Sequence, residues 1–232
     1  MARVLFVFAH QDDEMAAISR IRYVRARGDD VACVYLTDGA ARVPSHVRDA
    51  ESRAVLQQLG VSDVRFHKIA DGTLPEHLDE ALTCLTPCDE VVTLAWEGGH
   101  QDHDAAFLVA SVFAKQNGIR CWELPLYNGE GTRFYRVQHP IGDGWQSRPL
   151  PRREKLANML LCRHYKSQRS TWLGLLPLML LRPAREFIRE ADPRRAENRP
   201  HPGRLLYERR FHYPYDRFAQ FAKAFLREAA RD

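Results

Sequence analysis

In Arg3-Val4-Leu5-Phe6-Val7-Phe8-Ala9-His10-Gln11-Asp12-Asp13-Glu14 a continuous apolar run, residues 3–9, stops abruptly at polar residues. An apolar stretch of this length without alternation suits a strand covered on both faces in a parallel sheet. It meets acids rather than a small-residue cleavage site, so it reads as a buried strand and not as an export signal. Residues 14–28 and 46–60 have helical patterning, and each closes at a glycine, Gly28 and Gly60. Residues 31–37, 64–67, 90–95 and 120–127 read as further strands; 74–85 and 103–117 read as further helices. Strands alternating with helices through short links predict a Rossmann-like, doubly wound α/β fold with a mostly parallel sheet.

From Asn128 the pattern loosens into a less regular C-terminal portion. Residues 133–138 read as an extra strand, 140–151 as loop, 152–165 as helix, 194–204 as irregular and 214–230 as a closing helix. Residues 172–181 are strongly apolar but broken by Gly174 and Pro177, and shorter than the roughly 20 residues that cross a bilayer. A core element or a contact between copies of the chain is the plainer reading of this run. An interfacial membrane segment beside many arginines is the sharper one. The expected organisation is a core over 1–168 and a basic extension, 169–232, packed on the same domain.

The 232 residues, 45% hydrophobic and 28% charged, exclude disordered, collagen-like and coiled-coil classes. A domain of this size folds without a metal or disulfide staple, so any metal would be there for chemistry. Five cysteines (Cys33, Cys84, Cys88, Cys121, Cys162) show no paired zinc-type spacing, which favours a reduced, cytoplasmic setting. The net charge of +4 is uneven: residues 1–150 carry 15 Lys and Arg against 21 Asp and Glu, whereas 151–232 carry 19 against 9. Of the 34 basic residues 29 are Arg, the side chain that grips carboxylate and phosphate with two parallel bonds. The basic third points to an anionic ligand, an anionic membrane surface or a nucleic acid, with a solvated face as the plain alternative. Nucleic acid is disfavoured, because no recognised module is present and aromatics are sparsely interleaved (Tyr207, Phe211, Tyr213, Tyr215). Nor does a G-x-G-x-x-G follow the first strand, and the acids there repel phosphate.

Two clusters concentrate the chemistry. One is residues 9–14; the other is Gly98-Gly99-His100-Gln101-Asp102-His103-Asp104, after the strand at 90–95. Ligands of open α/β sheets bind beyond the carboxyl ends of the strands, where the strand order reverses. With strands ordered 3-2-1-4-5, the two clusters would face each other across that point. Two histidines and one carboxylate form a three-ligand set that leaves one position open. Zinc suits such donors, with ferrous iron or another divalent ion as the alternative. Taken alone, loop histidines are commonly just solvated and Asp13 could be a helix cap. Their placement at equivalent strand ends argues for a joint site.

His10-Gln11-Asp12-Asp13-Glu14 resembles the A-H-P-D-D-E signature of the PIG-L/LmbE-like zinc de-N-acetylases, and His100-Gln101-Asp102-His103 resembles their H-P-D-H. Leu36-Thr37-Asp38-Gly39, Arg48 with Glu51, Ala54, Leu59-Gly60-Val61, Asp71-Gly72, Lys155 and Tyr165-Lys166-Ser167-Gln168 extend the likeness over roughly residues 1–168. The resemblance implies zinc on His10, Asp13 and His103, and Asp12 as general base. His100 would stabilise the oxyanion or protonate the leaving amine. Asp102 would orient His100, or simply cap the loop. Arg48 and Asp71 would contact the sugar, unless Arg48 merely pairs with Glu51. Gln11 and Gln101 stand where the family has prolines, and Gly98-Gly99 where some members have a tyrosine. The implied activity is removal of acetyl from an N-acetylglucosaminyl-type amino sugar in a glycan, glycolipid or glycoconjugate, in the cytoplasm or at the inner membrane face. Rival readings are an amide hydrolase for a soluble thiol-conjugate or antibiotic precursor, a catalytically silent scaffold, and an Arg-rich anion or nucleic-acid binder.

Overall fold

β1 (Arg3–Phe8) lies inside the sheet with a parallel neighbour on each side, and all but its first residue are buried. Leu5 and Val7 face one apolar layer, Val4, Phe6 and Phe8 the other. The computed structural model describes residues 1–231. The chain continues through α1 (Ile18–Ala26), β2 (Asp30–Thr37), α2 (Ser45–Gln58), β3 (Asp63–Ile69), α3 (Leu78–Thr83), β4 (Glu90–Leu94), α4 (Gln101–Gln116) and β5 (Arg120–Leu124). It then forms a small hairpin of β6 (Tyr127–Asn128) and β7 (Arg136–Val137), followed by β8 (Gln146–Pro149), α5 (Arg152–Leu160), α6 (Arg169–Leu181), β9 (Arg185–Glu190), α7 (Leu206–Arg210) and α8 (Tyr215–Ala229).

The seven-stranded sheet is ordered β3-β2-β1-β4-β5-β9-β8. Its first five strands are parallel in the expected order; at one edge β9 pairs antiparallel with β5, and β8 antiparallel with β9. The protein is therefore an α/β fold with a mostly parallel sheet, and the reversal of strand order falls between β1 and β4. The apolar layer on one face of the sheet draws on α3, α4 and α8, that on the other on α1, α2 and α6. Every residue of α4 from Gln101 to Val112 is buried, because α8 packs on the side that the sheet leaves open. A helix enclosed in this way needs no polar stripe, which explains its apolar sequence.

Several elements differ from the sequence expectation for identifiable reasons. The helix expected at 14–28 begins as a 3₁₀ turn, Asp13–Ala16, and becomes α-helical at Ile18, because Asp12 adopts a left-handed φ of 104°. Pro125 follows the last residue of β5, so the run 120–127 ends early and resumes only in the hairpin. The strand expected at 133–138 shrinks to the two residues of β7. β9 carries too much charge to read as a strand, and β8 is short, polar and ends at a proline, yet Glu186 and Arg189 are buried and paired, with Arg148 and Glu123 respectively. Residues beyond 168 thus supply a strand of the main sheet and, through Leu205, Tyr207, Phe218 and Phe225, part of its core.

Phe218 is fully buried against Trp96 and Tyr207. Phe218→Ala is expected to lower stability by about 3–5 kcal/mol. Urea unfolding followed by circular dichroism should show one transition in both proteins. Two transitions in the variant would mean that the C-terminal portion folds separately.

Candidate active site

The loop after β1 is folded by its own carboxylates. Asp13 Oδ2 accepts from the backbone N–H of Ala9 at 3.1 Å and of His10 at 2.8 Å. Asp13 Oδ1 remains to face the second cluster. Glu14 is fully buried and accepts from the Asp12 N–H at 2.9 Å and the Tyr165 hydroxyl at 2.6 Å. Ser167 in turn donates to Glu51 from both its N–H and its hydroxyl. The motif residues Glu14, Glu51, Tyr165 and Ser167 therefore hold the loops and the sheet layers together.

The second cluster opens α4. His100 is its N-cap, and its Nδ1 accepts from the Asp102 N–H at 3.1 Å. His103, in the first turn, places Nε2 3.1 Å from Asp13 Oδ1 and 3.1 Å from His10 Nδ1, while His10 Nδ1 lies 3.8 Å from Asp13 Oδ2. Ligand atoms about 2 Å from one tetrahedral ion are separated by roughly 3.3 Å, so these donors have the right spacing. The other nitrogen of His10, Nε2, lies 3.1 Å from Asp102 Oδ2 and 3.2 Å from Asp71 Oδ1. Those carboxylates hold the imidazole proton there and turn the Nδ1 lone pair to the cluster, the usual support of a metal-binding histidine. Two imidazoles and a carboxylate suit a divalent cation.

The electrostatics favour positive charge at this point. Burial pushes the His10 pKa down, but Asp102, Asp71 and Asp13 outweigh it and raise the value well above the ordinary one. Burial likewise pushes Asp13 up, yet His103 and His10 hold it below the usual carboxylate range. Burial, with the charge of His10 adding to it, takes His100 down to about 3. Burial drives Asp12 up to about 8 against the pull of Arg48. A second trio, His10, His100 and Asp102, also brings ligand atoms within 4.8 Å of one another. There the Asp102 oxygens already accept from the N–H groups of Gly72 at 2.7 Å and Leu74 at 3.2 Å, and His100 Nδ1 is taken. The trio of His10, Asp13 and His103 is the better cradle.

Two expectations change. The Asp102 carboxylate serves His10 and not His100, because the fully buried side chain turns toward residues 72–74 and only its backbone N–H reaches His100. Arg48 does not pair with Glu51; it donates to the Gly39 carbonyl at 2.7 Å, to the Gln11 carbonyl and to Asp12 Oδ1 at 3.1 Å. Its guanidinium therefore stands behind Asp12. Asp12 and Asp71, with side chains 16% and 14% exposed, are the carboxylates that solvent can reach; Asp13 and Asp102 are at 3% and 0%.

The departures from the family pattern have structural counterparts. Gln11 donates to Asp49 Oδ1 at 2.7 Å and Gln101 to the Gly72 carbonyl at 3.3 Å, so side-chain bonds tether loops that prolines would stiffen. A Cβ at Gly39 would lie 2.2 Å from Gln11 Oε1, and one at Gly99 would lie 2.2 Å from the Tyr127 carbonyl. The bare backbone at Gly99 thus admits Tyr127, whose ring meets His103 edge-on at 5.3 Å. Phe211, 46% exposed, sets its ring 4.5 Å from that of His100. Neither aromatic belongs to a motif. They arrive through the β6–β7 hairpin and the turn after α7, so nothing local marked them as site residues.

Asp102→Asn would take away the carboxylate charge and one of the two oxygens that serve His10, Gly72 and Leu74. Affinity for a divalent ion, titrated against a chromophoric chelator, is expected to fall about 10–100-fold. Unchanged affinity would show that Asp102 does not support the cradle.

Residues 5–113 match the sequence profile of PIG-L, described as GlcNAc-PI de-N-acetylase. No curated protein sequence matches the chain significantly. Among solved structures, the zinc-inhibited form of teicoplanin deacetylase is 14% identical with a TM-score of 0.60, over 81% of this chain and 97% of that one. The N,N′-diacetylchitobiose deacetylase of Pyrococcus horikoshii is 18% identical with a TM-score of 0.60, over 83% and 84%. A 4-carboxy-2-hydroxymuconate hydratase from Pseudomonas putida is 16% identical with a TM-score of 0.55, over 85% and 99%. At such identities the likeness concerns the fold, which evidently hosts more than one chemistry. Both motif clusters lie within the segment, residues 5–113, that resembles the PIG-L family.

Proposed function

We propose that this protein is a divalent-metal-dependent hydrolase that removes the acetyl group from an N-acetylated amino sugar. The observation that carries this reading is the meeting of His10 Nδ1, Asp13 Oδ1 and His103 Nε2 at the β1/β4 reversal, beside an accessible Asp12. A divalent ion bound there would supply Lewis acidity, polarising the acetamide carbonyl and making water a better nucleophile near neutral pH. Zinc and ferrous iron both suit the donors.

The chain's own groups perform the remaining work. Asp12, steadied by Arg48, accepts a proton from the attacking water as the new C–O bond forms. It returns that proton to the nitrogen as the C–N bond breaks, releasing acetate and the free amine. His100 accepts at Nδ1, so its proton resides on Nε2. That N–H donates to the oxygen on which negative charge develops. Asp71 accepts from a sugar hydroxyl beside His10. The exposed face of Phe211 offers its π surface to the C–H face of the sugar ring. An amide hydrolase for a soluble thiol-conjugate or antibiotic precursor would use the same groups, and the substrate panel separates it.

Asp12→Ala is expected to retain bound metal and lose about 10²–10⁴-fold in turnover, whereas His103→Ala should lose the metal itself. Metal content by mass spectrometry and acetate release from N-acetylglucosamine, its glycolipids and its thiol conjugates, with Zn²⁺ or Fe²⁺ restored, are the measurements. Wild-type turnover in Asp12→Ala would remove the base assignment, and no acetate from any substrate would remove the function. Phe211→Ala should raise KM for the sugar more than it lowers kcat, with Phe211→Trp restoring it; a lower Tm with unchanged KM would make Phe211 purely structural.

A further inference from the structure

Residues 151–185 hold eight Lys or Arg and a single acidic residue, Glu154. Within them α6 buries only Trp172, stacked on Tyr165 at 5.8 Å, and Met179. On its other sides Leu173, Leu178, Leu180 and Leu181 are 61%, 38%, 54% and 84% exposed. α5 adds Leu156 and Leu160 at 54% and 63%. The helices are tied together where Lys155 donates to the carbonyls of Leu180 at 3.0 Å and Arg182 at 2.6 Å. Ten large apolar side chains are exposed among the described residues, and six of them are these leucines. Scattered apolar residues are ordinary on a surface, but a concentration of this kind marks a contact.

We propose that α5 and α6 dock the protein on the surface of a bilayer containing anionic lipid. The leucines would enter the headgroup boundary while Arg152, Arg153, Arg163, Lys166, Arg169 and Arg185, all exposed, meet lipid phosphates. The charge around the leucines selects this occupant: nucleic acid offers phosphate but no bed for leucine, and a neutral apolar partner would leave the arginines unanswered. α6 has 13 residues and is about 20 Å long, short of a hydrocarbon core of about 30 Å, so it lies in the membrane plane. No described helix is long and apolar enough to cross. α6 also packs on β7, whose partner β6 carries Tyr127, which puts the docking face beside the rim of the site.

The test needs no turnover, so it stands or falls apart from the proposed chemistry. The whole protein is co-sedimented with vesicles of phosphatidylcholine alone or mixed with phosphatidylglycerol. Binding to the mixed vesicles should be about 10-fold tighter or more, and weaken with salt. Leu173→Gln with Leu178→Gln and Leu181→Gln should lose about 10-fold or more at unchanged Tm; should that variant not fold, Leu181→Gln alone decides, since its side chain is mostly in solvent. Lys166→Gln with Arg169→Gln should erode the preference for the anionic vesicles. Equal sedimentation of wild type and leucine variants, or no preference for phosphatidylglycerol, would overturn the proposal. So would a leucine-dependent dimer in light scattering without vesicle binding, which would give the face to a second copy of the chain.

Discussion

The Asp13 carboxylate is the point on which the site depends. One of its oxygens accepts two backbone N–H groups and so forces the sharp turn at the end of β1, while the other faces His103. Burying a carboxylate this deeply is unfavourable by itself, and here the neighbouring imidazoles offset the cost. The same contacts that shape the loop also aim the donors, so the turn and the arrangement of the donor atoms have one origin.

Buried acids continue this pattern around the site. Asp104 accepts from the N–H groups of Glu97 and Gly98, and Glu97 from those of Leu126 and Tyr127 as well as the Asn128 amide. Burial pushes the Glu97 carboxyl up to about 7 despite these bonds. Glu123 holds Arg189 and Arg195 and thereby fastens β9 and the turn after it. Acidic side chains serve as internal acceptors for loops that lack regular pairing, which is how irregular backbone satisfies its donors inside a protein.

Much of this was legible before any coordinates. The parallel strands announced themselves because burial on both faces demands uninterrupted apolar runs, and glycines marked the ends of the helices. The facing of His10 and His103 followed from strand order. What could not be read was governed by partners distant in the chain. Asp102 looks like a neighbour of His100 at two residues' remove, yet its side chain turns to Gly72 and His10. Arg48 and Glu51 look like a helical pair, yet each bonds a different loop. β9 hides behind charges whose neutralising partners lie far away in sequence, and Phe211 acquires its place only through packing.

The enclosure of α4 between the sheet and α8 has a bearing on how the protein matures. His100 and His103 ride at the start of a rod whose outer wall, α8, is made after both signatures. A nascent polypeptide halted before residue 215 would possess both signatures and all three imidazoles, but the helix bearing two of them would lie with an oily flank open to water. Burial of that flank, and with it the seating of both imidazoles, therefore waits on α8, although the side chains themselves are made earlier.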